Sequence, residues 1–180
     1  MIFLQEVEKI PTNERVYLDE TGIDAREVNE MGYAEKGKKL IGIRPGRTKE
    51  TRSSTIAAYQ NKNLIAPFAY KGTMNGAFFL AYLRSILLPI LKIGVTIILD
   101  NASFHKIKGV RELIESFGMK VLYLPPYSPD FNRIEKKWPQ IKKIARELHS
   151  KAEKDMISCL EEALRIVCLK DNIKYILNVA

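Results

Sequence analysis

The run Val95 to Asp100, VTIILD, sets five apolar or β-branched residues in succession and closes on an aspartate. Such a run has no polar face. It suits a strand covered on both sides, as in the parallel part of a sheet with helices above and below. Arg15 to Asp19, RVYLD, is a second short run of the same kind and also ends in acid. Laid side by side, the two strands bring Asp19 and Asp100 together at their carboxyl ends, which is where open α/β sheets bind ligands.

The remaining pattern extends this into an architecture. Gly22 is expected to break the first strand, and Gly32, Gly37, Gly42 and Gly46 punctuate the next stretch of chain. KLIGIR and STIAAYQ read as strands joined by a basic loop, PGRTKETR, and LIAPFAY comes after the turn Asn61-Lys62-Asn63. From Thr73, an expected N-cap, the spacing becomes helical, with Phe79, Tyr82, Leu83, Ile86, Leu87 and Ile90 on one face and Pro89 kinking or ending the helix. A helix over Lys108 to Phe117, a stop at Gly118 and a strand over Val121 to Leu124 complete a strand-helix-strand unit with a right-handed crossover. Two more helices are predicted, near Arg133 to Leu148 and Ala152 to Cys168. Antiparallel strands, a helix, then alternating strands and helices predict an α/β fold with a ribonuclease-H-like mixed sheet flanked by helices.

Composition narrows the setting. The 180 residues are 46% hydrophobic and 28% charged, enough for one domain that buries roughly 70% of its unfolded surface. A net charge of +8 favours a polyanionic partner without choosing among DNA, RNA and anionic lipid. Cys159 and Cys168 lack the close spacing of a zinc or redox motif and read as reduced core thiols. The apolar stretch Phe78 to Val95 contains Arg84, Lys92 and Pro89, so a buried helix is expected and not a membrane span. The opening MIFLQEVEKI carries acids and no cleavable signal pattern, which predicts a soluble, cytoplasmic protein.

Two adjacent carboxylates repel, and one is driven to hold its proton unless a cation joins them. Mg2+ or Mn2+ resolves the conflict, because hard cations take carboxylate oxygens and keep positions for water and phosphate. A third carboxylate is available at Glu135, with 34 residues between it and Asp100. Each acid also has an ordinary reading. Asp19 terminates a strand, Asp100-Asn101 suits a turn, and Asn132 with Glu135 three residues later fits a helix capping box.

VYLDE, LDNASFHK and LPPYSPDFNRIEKKW together resemble the three signature blocks of DDE transposases of the mariner superfamily, in particular its bacterial insertion-sequence branch. The resemblance runs from about Val16 to Leu148 and takes in PGRTKE and KGTMNGAFFLAYL. It implies a triad of Asp19, Asp100 and Glu135 that is both catalytic and metal-binding, with two Mg2+ or Mn2+ ions. It further implies DNA cleavage at a transposon end, strand transfer into target DNA, and insertion at TA dinucleotides. This chain departs from the blocks in having Asn132-Arg133-Ile134-Glu135 where relatives commonly have proline in the second place, and Pro139 is unexpected inside the helix that carries Glu135. A ribonuclease-H-like nuclease acting on hybrids or junctions, and a noncatalytic DNA-binding remnant, are the alternative readings.

The segments divide into a leader over residues 1–15, a catalytic domain over 16–148 and a C-terminal helical extension of the same domain over 149–180. Arg44, Arg47, Lys49 and Arg52 crowd one loop and are expected to face DNA. Lys106 and Arg133, near the acids, are candidate DNA contacts, and His105, five residues beyond Asp100, is either a contact to a phosphate or a structural or loop histidine. Lys142 and Arg146 lie farther along the helix on the edge that holds Glu135, either leading a DNA backbone away or forming a solvated basic face. Tyr127, beside Pro125 and Pro126, either stacks on a base or packs in its loop. The leader is too short for the helix-turn-helix modules that relatives use to recognise transposon ends, so end recognition is expected either from a separate helix-turn-helix polypeptide or to be lost through truncation, with a dimer in the active complex, nucleoid association and no membrane partner.

Overall fold

The computed structural model describes residues 2–23, 52–151 and 154–170. KLIGIR and most of the basic loop, including Arg44, Arg47 and Lys49, lie outside the described residues. Five strands form one mixed sheet in the order β3-β2-β1-β4-β5, with β1 at Arg15–Ile23, β2 at Ser53–Gln60, β3 at Asn63–Lys71, β4 at Thr96–Leu99 and β5 at Lys120–Tyr123. β1, β2 and β3 pair antiparallel, while β1, β4 and β5 pair parallel. The helices are α1 at Ile2–Glu8, α2 at Gly76–Tyr82, α3 at Val110–Ser116, α4 at Trp138–Lys151 and α5 at Met156–Lys170. The predicted α/β fold with a ribonuclease-H-like mixed sheet is what the chain adopts.

Alternation along β1 divides the core. Val16 and Leu18, with Ile56, Ile97 and Leu99, pack against α2 and α3 through Phe79, Tyr82, Val110 and Ile114. Ile23, Ala57 and Leu64, on the other face, meet Ile134, Trp138, Ile141 and Ala145 and the α5 residues Leu160, Leu164 and Val167. β4 is buried throughout, as its unbroken apolar sequence requires. Cys159 and Cys168 are buried in the core. Among the described residues no helix is long and apolar enough to cross a membrane.

Several local expectations change. β1 does not stop at Gly22 but runs on to Ile23, paired with β2 to its end. Gly22 is suited to this place because the Arg52 guanidinium occupies the space a Cβ would need. The N-cap of α2 is Asn75, whose side chain accepts from the Phe78 N–H at 2.9 Å, and not Thr73. The helix then continues through a π turn at Leu83–Leu87 and a 3-10 turn at Leu88–Ile90, where Pro89 ends it. The helix expected from Arg133 is two elements, a 3-10 turn at Arg133–Lys136 and α4 from Trp138. Pro139 is therefore the second residue of α4, in the first turn, where its missing N–H has no partner to lose and no kink results.

Candidate active site

The parallel register sets the first two acids. β1 and β4 are last paired at Tyr17 beside Ile98, and two residues farther each strand arrives at an aspartate. Alternation keeps Asp19 on the face of Tyr17, which is the α4 side of the sheet. Asp19, Asp100 and Glu135 line one cavity of about 220 Å3, together with Asn101, Tyr127, Ser128 and Asn132.

Asp19 is 6% exposed, and its Oδ2 accepts from the Trp138 indole Nε1–H at 2.9 Å. Burial pushes its carboxyl up to about 7. The Trp138 hydrogen bond opposes that rise, and the negative charges of Glu135, Glu20 and Asp100 add to it. Asp100 is held lower than an ordinary carboxyl, chiefly by His105 and by a bond from the Ala102 N–H. Its Oδ1 takes both donors, His105 Nδ1 at 2.6 Å and Ala102 N–H at 2.9 Å. Asn101 turns away, its Nδ2 donating to the Leu124 carbonyl at 2.5 Å and tying the end of β4 to the end of β5. The turn chemistry is present at Asp100, but it uses one oxygen only.

Glu135 is exposed in its 3-10 turn. Asn132 makes no side-chain capping bond there, so the capping box open to this pair is not formed. The exposed carboxylate stands across the cavity from two fixed aspartates. Oxygen donors of this kind suit a hard divalent cation, and the mutual repulsion that raises Asp19 is the conflict such an ion relieves. Among the described residues no three acid, histidine or cysteine side chains are already gathered closely enough to hold an ion; Asp19 and Asp100 are held by hydrogen bonds, and Glu135 is exposed.

The remaining expected residues fall in different places. His105 is fully buried, so its ring reaches no phosphate, and of its two readings the structural one fits. Lys106 is exposed with its ammonium 5.8 Å from the Tyr123 ring centroid. Arg52 is exposed beside Gly22. Lys142 and Arg146 are half-buried on α4. Arg133 is exposed, its guanidinium 5.9 Å from the Tyr17 ring centroid. Tyr127 does not pack in its loop: it is fully exposed at the cavity mouth, with a left-handed φ of 54° that a bulky residue rarely adopts.

Sequence reading missed a groove on the far flank of the segment that carries Glu135. A cavity of about 990 Å3 is lined by Arg15, Lys62, Arg133, Lys136 and Lys137, with the acids Glu8 and Asp130 and the aromatic rings of Phe3, Tyr17, Tyr59 and Phe131. Lys137 lies 5.8 Å from the Tyr59 ring centroid. Arg133, Lys136 and Lys137 share one segment, of which only Arg133 was singled out from sequence, whereas Arg15 and Lys62 come from elsewhere in the chain. The alternation that places Arg15 and Tyr17 on the face of Asp19 was a further available signal.

Among solved structures, the chain is similar to the Mos1 transposase paired-end complex with the left transposon end, at TM-score 0.60 and 19% identity over 97% of this chain and 60% of that one. It is similar to the Mos1 mariner paired-end complex with Mn, at TM-score 0.59 and 18% identity over 97% and 60% of the two chains. The catalytic core domain of BIV integrase matches at TM-score 0.53 and 12% identity, over 84% of this chain and 81% of that one. The chain spans 60% of the length of the Mos1 chains it matches. No curated protein matches it in sequence. The family model for the DDE superfamily endonuclease covers residues 14–157, a span that holds all five strands and all three acids: the chain belongs to the DDE superfamily of endonucleases.

Proposed function

We propose that this chain is the cutting and joining domain of a transposase, in which Asp19, Asp100 and Glu135 are the catalytic residues. The observation that carries this reading is the convergence of the three acids on one cavity at the carboxyl ends of the parallel pair β1 and β4. When bound there, one or two Mg2+ or Mn2+ ions supply charge neutralisation and activation of the attacking oxygen for in-line displacement at a phosphodiester. Asp19 and Asp100 would hold the cation on the side of the cavity formed by the ends of β1 and β4. Glu135, which is exposed, completes the carboxylate set from the other side. Tyr127, standing fully exposed at the mouth, offers a ring on which a base beside the cleaved bond stacks. Water attacks a phosphodiester at a transposon end, leaving a 3′ hydroxyl on one side of the break and a 5′ phosphate on the other; that 3′ hydroxyl then attacks a target phosphodiester and displaces the target strand's own 3′ hydroxyl.

The basic groove supports DNA as the partner. Five cations against two acids, set among aromatic rings, suit a phosphodiester backbone leaving the acid cavity. Membership of the bacterial insertion-sequence branch of the mariner superfamily, insertion at TA, a dimer in the active complex and nucleoid association belong to the same proposal and rest on the sequence blocks.

The decisive experiment is Asp100→Asn in a cleavage assay with transposon-end DNA and Mg2+. Loss of strand cleavage with DNA binding retained is expected; unchanged cleavage overturns the assignment. Hybrid and junction substrates run beside it separate a transposase from a ribonuclease-H-like nuclease.

A further inference from the structure

We infer that His105 is a positioning residue for Asp100: it holds Oδ1 of that carboxylate so that Oδ2 is the oxygen presented to the cavity. The inference rests on Asp100 being a metal ligand, as proposed above, and concerns how this chain orients that ligand.

His105 is built in from every side. Its ring is fully buried, 4.6 Å from the Phe79 ring and 4.5 Å from the Phe104 ring between centroids. Its backbone is tied at both ends, the N–H donating to the Ala102 carbonyl at 3.0 Å and the carbonyl accepting from the Tyr123 hydroxyl at 2.9 Å. The ring is thus aimed by its surroundings, and what it is aimed at is Asp100 Oδ1, 2.6 Å from Nδ1.

The two carboxylate oxygens therefore divide their labour. Oδ1 accepts from His105 and from the Ala102 N–H, while no hydrogen bond among the described residues reaches Oδ2. A carboxylate is planar, so fixing one oxygen from two directions fixes the other. Asp19 shows the same arrangement, with Oδ2 taken by Trp138. Each aspartate keeps one oxygen for the protein and one for the cavity. Donors behind the ligand set its orientation, and losing such a donor typically weakens metal affinity about 10- to 100-fold.

The other end of the imidazole excludes a purely packing role. Nε2 lies 3.4 Å from Glu20 Oε2, and neither atom has a hydrogen-bond partner. Burying these polar atoms costs free energy that a phenyl ring in the same aromatic pocket avoids. Alternation puts Glu20 on the face of β1 opposite Asp19, so the imidazole links a carboxylate beneath the sheet to one in the cavity. Glu20 stands behind the ring at ion-pair distance while Nδ1–H holds Asp100.

The test uses the folded chain, MnCl2 as the only probe, and the variants His105→Asn, His105→Gln and His105→Phe. The Asn amide branches where the ring does and sets an N–H near the Nδ1 position, whereas the Gln amide reaches toward Nε2. Free Mn2+ measured by electron paramagnetic resonance reports affinity. The expected result is His105→Asn within about threefold of wild type, and His105→Gln and His105→Phe weaker by about 10- to 100-fold. In metal-free wild-type protein, nitrogen-15 NMR is expected to show a solvent-protected Nδ1 proton on His105, and Asp100→Ala to remove that protection. Wild-type affinity in His105→Phe, or a fall in His105→Asn as large as in His105→Phe, overturns the inference. Absence of the Nδ1 proton overturns it even where the Phe variant does not fold. Wild-type protein that takes up no Mn2+ at millimolar concentration overturns the active-site reading and this inference with it, whereas unaltered affinity in the variants sinks this inference alone.

Discussion

The Trp138 indole donates its N–H to Asp19 Oδ2 at 2.9 Å across 119 residues of sequence, joining the start of α4 to the end of the strand that carries the first acid. The bond locates Asp19 and, through the same helix start, the segment bearing Glu135. It also partly offsets the burial that raises the Asp19 carboxyl.

Trp138→Phe keeps a ring in the core and removes the donor. A hydrogen bond to a charged group contributes about 1.5–3 kcal/mol, so Mn2+ affinity is expected to fall by roughly 10- to 100-fold. Isothermal titration with MnCl2 measures it. An affinity equal to wild type in a folded variant contradicts a role for this bond in orienting Asp19.

The raised Asp19 carboxyl has a defined sign in metal-free protein. With a folded value of about 7 against 3.8 for the ordinary group, the folded state holds a proton that the unfolded state has released. Stability attributable to Asp19 therefore falls as pH rises from about 4 to about 7. His105 works in a higher window: its value is raised from 6.5 to about 9, so its stabilisation is full below 6.5 and is lost as pH climbs through 9. Asp19→Asn removes the first effect and not the second. In EDTA, its melting temperature is expected to exceed that of wild type at pH 7.5, with the difference closing toward pH 4. A difference that does not vary across that range would falsify the assignment.

Lys62→Ala with Lys136→Ala removes two exposed cations from the groove. Each phosphate contact contributes about −0.9 to the slope of log affinity against log salt on duplex DNA. The double variant is expected to bind a transposon-end duplex more weakly at low salt, with a slope smaller in magnitude by about 1 to 2. Fluorescence anisotropy over a salt series reads both quantities, and an unchanged slope removes the groove from the DNA path.

Pro139→Ala separates two descriptions of α4. A proline inside a helix costs about 3 kcal/mol relative to alanine, so relieving one there raises the melting temperature by many degrees. At the second residue of α4 the ring is compatible with the helix, and the substitution is expected to destabilise by about 0.4–1 kcal/mol through the freer unfolded chain. Thermal unfolding decides between a small fall and a large rise.

Residue order alone determined the frame of this protein. The unbroken VTIILD run demanded a strand covered on both faces, and RVYLD beside it in parallel brought Asp19 and Asp100 to one end of the sheet. These are short-range properties, since alternation and β-branching act within a few residues of chain. What tertiary structure decided lies where contacts cross the sequence. Glu135 was visible by spacing, but only packing showed that it occupies a 3-10 turn with its capping bond unmade, and that Pro139 sits in the first turn of the next helix. His105 read from sequence as either a phosphate contact or a structural histidine. The Phe79 and Phe104 rings bury it, and no local pattern announces a neighbour from another helix. The groove joins Arg15, Lys62 and Arg133, which lie far apart along the chain and meet only because β1, the β2–β3 turn and the segment before α4 converge on one face. Burial and convergence depend on the whole folded surface, and sequence spacing does not carry them.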